Sequence, residues 1–236
     1  MDGRYPHPIR NRKCAAAATR YRLNGDMLEL RTRYDGGLAD DFPLVRRRRM
    51  TGLAGGTTVA ALTAGDPGLV ARSGLVRGDL RRSFGTAAGV ARGVRLDVRL
   101  RVTSATSGRP RPGHAVYLWH ADRDGAYSLR APELAGENYL RGVQVADSAG
   151  WVRFTTVFPG SRDGRWPHLH FEVYPSLAAT DCPATRLHAA EVLLPADACA
   201  KVGYAVAAGH PGAPVEMACV TGDVRRGLVA TRTVGI

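Results

Sequence analysis

Arg165-Trp166-Pro167-His168-Leu169-His170-Phe171 is the stretch on which the reading of this chain turns. In an extended run side chains alternate between faces, so two histidines two apart present their imidazoles on the same side. Two neutral imidazole nitrogens converging on one point make half of a metal site. Just upstream, Trp151-Val152-Arg153-Phe154-Thr155-Thr156-Val157-Phe158 is rich in aromatic and β-branched residues, and Pro159-Gly160 breaks it. The pattern is a strand, a turn, and a second strand carrying the histidine pair. Spacing alone leaves metal ligands and packed or surface histidines as open alternatives.

Working outward, the body of the chain reads as all-β. Val94 to Val102 alternates between apolar and charged residues, the signature of a strand with one solvated face. Ala115 to Trp119 is shorter and more apolar, and further strands are expected at 153–158, 169–174, 190–194, 215–221 and 227–234. Turn-forming stretches such as Asp147-Ser148-Ala149-Gly150 separate them, and short strands at this spacing indicate a sandwich. A short helix is expected from Asp197 to Val206, and residues 76–93 read as a loop-rich arm.

Several further words accompany the histidine pair. Pro112-Gly113 precedes His114-Ala115-Val116-Tyr117-Leu118-Trp119-His120, and Asp124-Gly125-Ala126-Tyr127-Ser128 follows. Then come Glu137-Asn138-Tyr139-Leu140-Arg141-Gly142-Val143-Gln144 and Asp147 to Gly150. This order resembles the intradiol ring-cleavage dioxygenases, in particular the small exported branch of that family. The resemblance is dense from about Leu75 to the C-terminus. It implies a β-sandwich with a loop-rich N-terminal extension, and a non-haem Fe(III) site held by two tyrosinates and two histidines. Position by position, Tyr127 matches the first tyrosine ligand, and His168 and His170 match the two histidines. Arg165 matches the arginine that steadies charge developing on the bound aromatic substrate.

One word departs from the pattern. The second tyrosine ligand should be the fourth residue of a Pro-Gly-x-Tyr turn, and here the turn reads Pro159-Gly160-Ser161-Arg162. Arginine stays protonated at any working pH and offers donors only, so it can neither ligate the metal nor accept a substrate proton. A cation in place of an anion weakens the preference for Fe(III), and another divalent metal becomes an alternative. Arg162 instead suits a substrate carboxylate or phosphate, with a solvated loop arginine as the competing reading. Glu191, which aligns loosely with a family position where a glutamine lines the substrate pocket, is a candidate general base. His114 and His120 are alternative ligands, or hydrogen-bonded residues at strand ends.

Three functions follow as expectations. The first is a non-haem iron oxidoreductase of the intradiol type, acting on a catechol or related phenolic substrate with O₂. The second is a divergent metalloenzyme on the same fold, catalysing a different oxidation, cyclisation or elimination on a larger phenolic or polyketide-like molecule. The third is a non-catalytic β-sandwich binding module.

The formal net charge of +12 rests almost wholly on arginine, Lys13 and Lys201 being the only lysines. Half of this surplus falls in residues 1–49, and no aromatic-interleaved basic stripe crosses the body, which argues against nucleic acid as a partner. No window approaches the roughly twenty apolar residues of a membrane span. Arg46-Arg47-Arg48-Arg49-Met50, followed by a mildly apolar stretch to Ala64, has the pattern of a twin-arginine export signal. The expected organisation is therefore a leader or extension over residues 1–69 and the sandwich over 70–236. Export follows if the leader is genuine, and a cytoplasmic location otherwise. The forty-five residues ahead of the arginine run read as a long leader, as the product of an upstream start with Val45 the true one, or as a basic linker. Cys182 and Cys199 flank the Glu191 strand and are a candidate disulfide in an exported protein. Family members often form subunit contacts through such an arm, so a homo-oligomer is expected as an option.

Overall fold

The computed structural model describes residues 36–51, 68–161, 165–204 and 215–236. Among the described residues nine strands form two sheets. They are β1 (Arg95–Thr103), β2 (Ala115–Trp119), β3 (Arg141–Val145), β4 (Trp151–Val157), β5 (His168–Tyr174), β6 (His188–Leu193), β7 (Val215–Met217), β8 (Cys219–Asp223) and β9 (Gly227–Gly235). One sheet runs β4-β1-β9-β8 and the other β3-β2-β5-β6-β7. Most neighbours are antiparallel, but β1 pairs with β9 and β6 with β7 in parallel, so both sheets are mixed.

The sandwich interior follows from strand periodicity. Leu96, Val98, Leu100 and Val102 of β1 alternate inward and meet Val116, Leu118, Leu169, Phe171 and Val173 from the facing sheet. These side chains are essentially sealed from solvent. Burying an aliphatic or aromatic side chain of this kind contributes about 1.5–3 kcal/mol.

The opposite face of the five-stranded sheet is also covered. Tyr117, Trp119, Val143 and Tyr174 project from it into a second cluster with Leu38, Val45, Val70 and Leu75. Two helices, α1 (Leu38–Thr51) and α2 (Leu69–Arg72), supply part of that cover. Strand β5 is therefore buried on both faces, its odd-numbered residues in the sandwich core and its even-numbered ones beneath the cover. The site lies on this second, covered face.

Several sequence expectations shift. Residues 141–145, which the sequence did not mark as a strand, form β3 at the sheet edge. The single strand expected over 215–221 is two, β7 and β8, placed in different sheets with Ala218 between them. The helix expected from Asp197 to Val206 ends earlier, as α3 (Ala196–Val202), because Gly203 adopts a left-handed conformation and caps it. Residues 76–93 form isolated bridges, such as Asp79 to Thr155, and bury Leu80 in the sandwich core. The arginines at 46 and 47 lie in α1, with Arg46 half-buried and Arg47 exposed. No helix of the described residues is long and apolar enough to cross a membrane.

The Cys182–Cys199 disulfide does not form. Cys199 is free and buried in α3, where its thiol donates to the Leu194 carbonyl oxygen, 3.4 Å away. Cys182 is disulfide-bonded, but not to Cys199.

Candidate metal centre

Strand alternation places His168 and His170 side by side on the covered face of β5, as their spacing requires. The His168 Nδ1 lies 2.6 Å from the Trp166 carbonyl oxygen, an acceptor, so the ring proton sits on Nδ1 and Nε2 keeps its lone pair. That Nε2 stands 3.1 Å from the Nε2 of His170. Burial, together with His168 and Arg165 nearby, holds His170 well below the ordinary histidine pKa, so its imidazole is neutral.

Tyr127 arrives from a different part of the chain, the loop between β2 and β3. Its Oη is 2.9 Å from His170 Nε2, and the side chain is fully buried. Three donor atoms from Tyr127, His168 and His170 thus converge. Donors on adjacent coordination positions of one ion, with bonds of about 2.1 Å at right angles, stand about 3 Å apart. The donor set fits a metal, and it is a neutral-imidazole and phenolate set of the kind that suits iron.

Glu191 also reaches this place. It sits directly opposite His170 across the β5–β6 pair, fully buried, with Oε1 3.5 Å from His170 Nδ1. Glu191, His168 and His170 can each present one ligand atom within 4.8 Å of the others. The nearest approach of Glu191 is nevertheless to Nδ1, and the two nitrogens of one imidazole cannot serve the same ion. With Nε2 facing Tyr127 and His168, Glu191 stands behind the ligand rather than beside it. A carboxylate there orients a ligating imidazole and raises its basicity. The same Oε1 binds the guanidinium of Arg165, whose side chain keeps 19% of its surface exposed.

Arg162 lies outside the described residues. Neither alternative histidine joins the cluster. His120 is buried with Nδ1 2.6 Å from the Ala121 carbonyl oxygen and Nε2 2.7 Å from Thr156 Oγ1, and burial lowers its pKa to about 4. His114 is half-buried just before β2, its Nδ1 facing the Pro112 carbonyl oxygen. Both are strand-end histidines held by local hydrogen bonds.

Sequence reasoning did not single out Trp119. Paired in register with His170, it lies flat against that imidazole, 4.9 Å between ring centroids and 13° from parallel. Its neighbour-but-one Tyr117 stacks on its other side at 5.2 Å. The alternation of aromatics in Tyr117-Leu118-Trp119 was the available signal, but only the β2–β5 register shows what they face.

Residues 77–167 match the family model described as Dioxygenase. The fold is shared with the intradiol ring-cleavage dioxygenase from Tetranychus urticae, at 20% identity and a TM-score of 0.52, covering 69% of this chain and 86% of that one. A second dioxygenase crystal structure is similar at 19% identity and a TM-score of 0.54, with the same coverage of both chains. At such identities the structural likeness speaks for the fold. Residues 77–167 thus match the dioxygenase family model, and the described sandwich has the fold seen in an intradiol ring-cleavage dioxygenase.

Proposed function

We propose that the protein is a non-haem iron oxygenase of the intradiol type that acts, with O₂, on a catechol or related phenol at Tyr127, His168 and His170. The observation that carries this reading is that the Tyr127 phenol oxygen, at 2.9 Å, and His168 Nε2, at 3.1 Å, both meet His170 Nε2 in a buried site. Bound there, iron supplies a Lewis acid for the substrate oxygens and an electron acceptor for the oxidation.

The chain's own residues divide the remaining work. His168, with Nδ1 held by the Trp166 carbonyl, and His170, kept neutral by burial, turn their Nε2 atoms toward the site. Tyr127 binds as phenolate and so releases its proton on metal loading. Arg165, partly exposed and fixed by Glu191, sets positive charge beside the place where the substrate's oxygen anion forms. Glu191, the buried carboxylate behind His170, anchors Arg165 and steadies the imidazole rather than reaching the substrate. Arg162, at the sequence position of the absent second tyrosine, serves as an anchor for an anionic group on the substrate.

A second reading is favoured by one observation. Two histidines and a carboxylate lie close enough to share an ion, the donor combination of ferrous oxygenases. If Glu191 turns to the metal, a divalent ion and a different oxidation of a larger phenolic molecule follow.

Elemental analysis of the purified protein, with a visible spectrum of the same sample, separates these. Near-stoichiometric iron with a phenolate-to-iron absorption band supports the first reading. Colourless ferrous iron or another divalent metal supports the second. Absence of metal after reconstitution overturns both and leaves a binding module. Arg162→Tyr adds a check, since restoring the second phenolate should tighten ferric binding and deepen the colour.

A further inference from the structure

The loop that carries Tyr127 is held by a carboxylate from outside the family-matched region. Asp41, in the first turn of α1, is completely buried. It binds the guanidinium of Arg141, itself fully buried, and accepts a hydrogen bond from Tyr117 Oη at 2.7 Å. Arg141 in turn donates through Nε to Ser128 Oγ at 3.1 Å and through Nη2 to the Ser128 carbonyl oxygen at 2.6 Å. The other oxygen of Asp41 binds Arg130 Nη2 at 2.7 Å. One carboxylate therefore grips the chain at Ser128 and Arg130, just beyond Tyr127.

The loop needs such a grip. Leu129, between the two gripped residues, has φ of +70°, a left-handed conformation that leucine rarely adopts. The segment that brings Asp41 is seated closely. The backbone N–H of Leu38 donates to Glu172 Oε2 at 3.0 Å. A Cβ on Gly37 would lie 2.7 Å from Glu172 Oε1, so that position admits only glycine without a shift.

We propose that residues 36–47 are a strap belonging to the folded enzyme, and that Asp41 is a positioning residue that sets the Tyr127 loop through Arg141 and Arg130. The strap competes with the view that residues 1–69 are a removable leader, because loss of Asp41 would leave the Arg141 cation buried without its counter-charge. The effect on metal binding rests on the function proposed above, whereas the effect on the loop does not.

The test compares the full chain with Asp41→Asn and with the double variant Asp41→Leu/Arg141→Met. Three quantities are read: melting temperature, amide hydrogen exchange of the loop following Tyr127, and affinity for added ferrous ion. In Asp41→Asn the melting temperature should drop by about 5 °C or more. Loop exchange should quicken at least about tenfold, and iron affinity should weaken by about the same factor. Removing both charges relieves the buried cation, so the double variant should regain most of the melting temperature. It lacks the bonds to Ser128, however, and its loop exchange and iron affinity should stay impaired. The proposal is overturned if loop exchange is unchanged in the single variant, or recovers together with stability in the double one. Should the single variant not fold, the double one decides alone. If the wild-type chain itself binds no iron, the function proposed above fails and the exchange data still judge the clamp. N-terminal sequencing of the protein from its native source should find residues 36–47 still present.

Discussion

Trp119 and His170 lie face to face across the β2–β5 pair, the indole parallel to the imidazole that presents its Nε2 to Tyr127 and His168. The stack fixes the plane of a candidate ligand from the side that no hydrogen bond can reach. Trp119→Leu removes that surface, worth about 0.5–1.5 kcal/mol beyond simple burial. Iron affinity, measured by titration of metal-free protein, should fall about three- to tenfold, because the ring is then free to tilt.

His168→Ala and His170→Ala should each abolish most of the metal content. Each removes a neutral donor from a cluster of three. Elemental analysis of the two variants checks this, and wild-type loading in both would remove the site assignment.

Glu191→Gln should separate positioning from packing at little cost in volume. The ion pair with Arg165 is half sheltered, since the carboxylate is buried and the guanidinium partly exposed. Its loss should cost about 1–3 kcal/mol of stability, readable by denaturant titration. It should also raise the KM for a catechol, because Arg165 loses its anchor. Unchanged stability and unchanged KM together would show that the pair contributes nothing.

Stability should fall with acid through a histidine that the chemistry does not use. The pKa of His120 is lowered from 6.5 to about 4 in the folded chain by burial. The unfolded state therefore binds the proton more readily. Stability is fully present above about pH 6.5 and is lost as pH falls toward 4, by up to about 3 kcal/mol. Thermal melts across that window should show the slope. His120→Gln, which cannot titrate, should be less stable at pH 7 but flatter between pH 4 and 6.5.

Much of the fold was legible because strand periodicity is local. Val94 to Val102 alternates apolar and charged residues, and β1 buries the residues that alternation selects. The histidine pair was legible for the same reason, two residues apart on one strand face. β3 was missed because Arg141 breaks the apolar pattern, and what makes Arg141 acceptable in a buried strand is Asp41, one hundred residues away. The division of residues 215–223 into two strands was hidden because nothing local marks Ala218 as the point where the chain changes sheet. Helix α1 was hidden by its own composition, since a run of four arginines reads as a solvated or export segment.

The sequence by itself determined the strand pattern and the matched face of His168 and His170, because each depends only on residue identity and near spacing. Tertiary structure decided the rest. It brought Tyr127 to within 2.9 Å of His170, set Glu191 behind that imidazole, and laid Asp41 over the sheet. These contacts join segments far apart in the chain. Their geometry comes from sheet register and from the need to neutralise charges sealed away from water, and neither can be read from neighbouring residues.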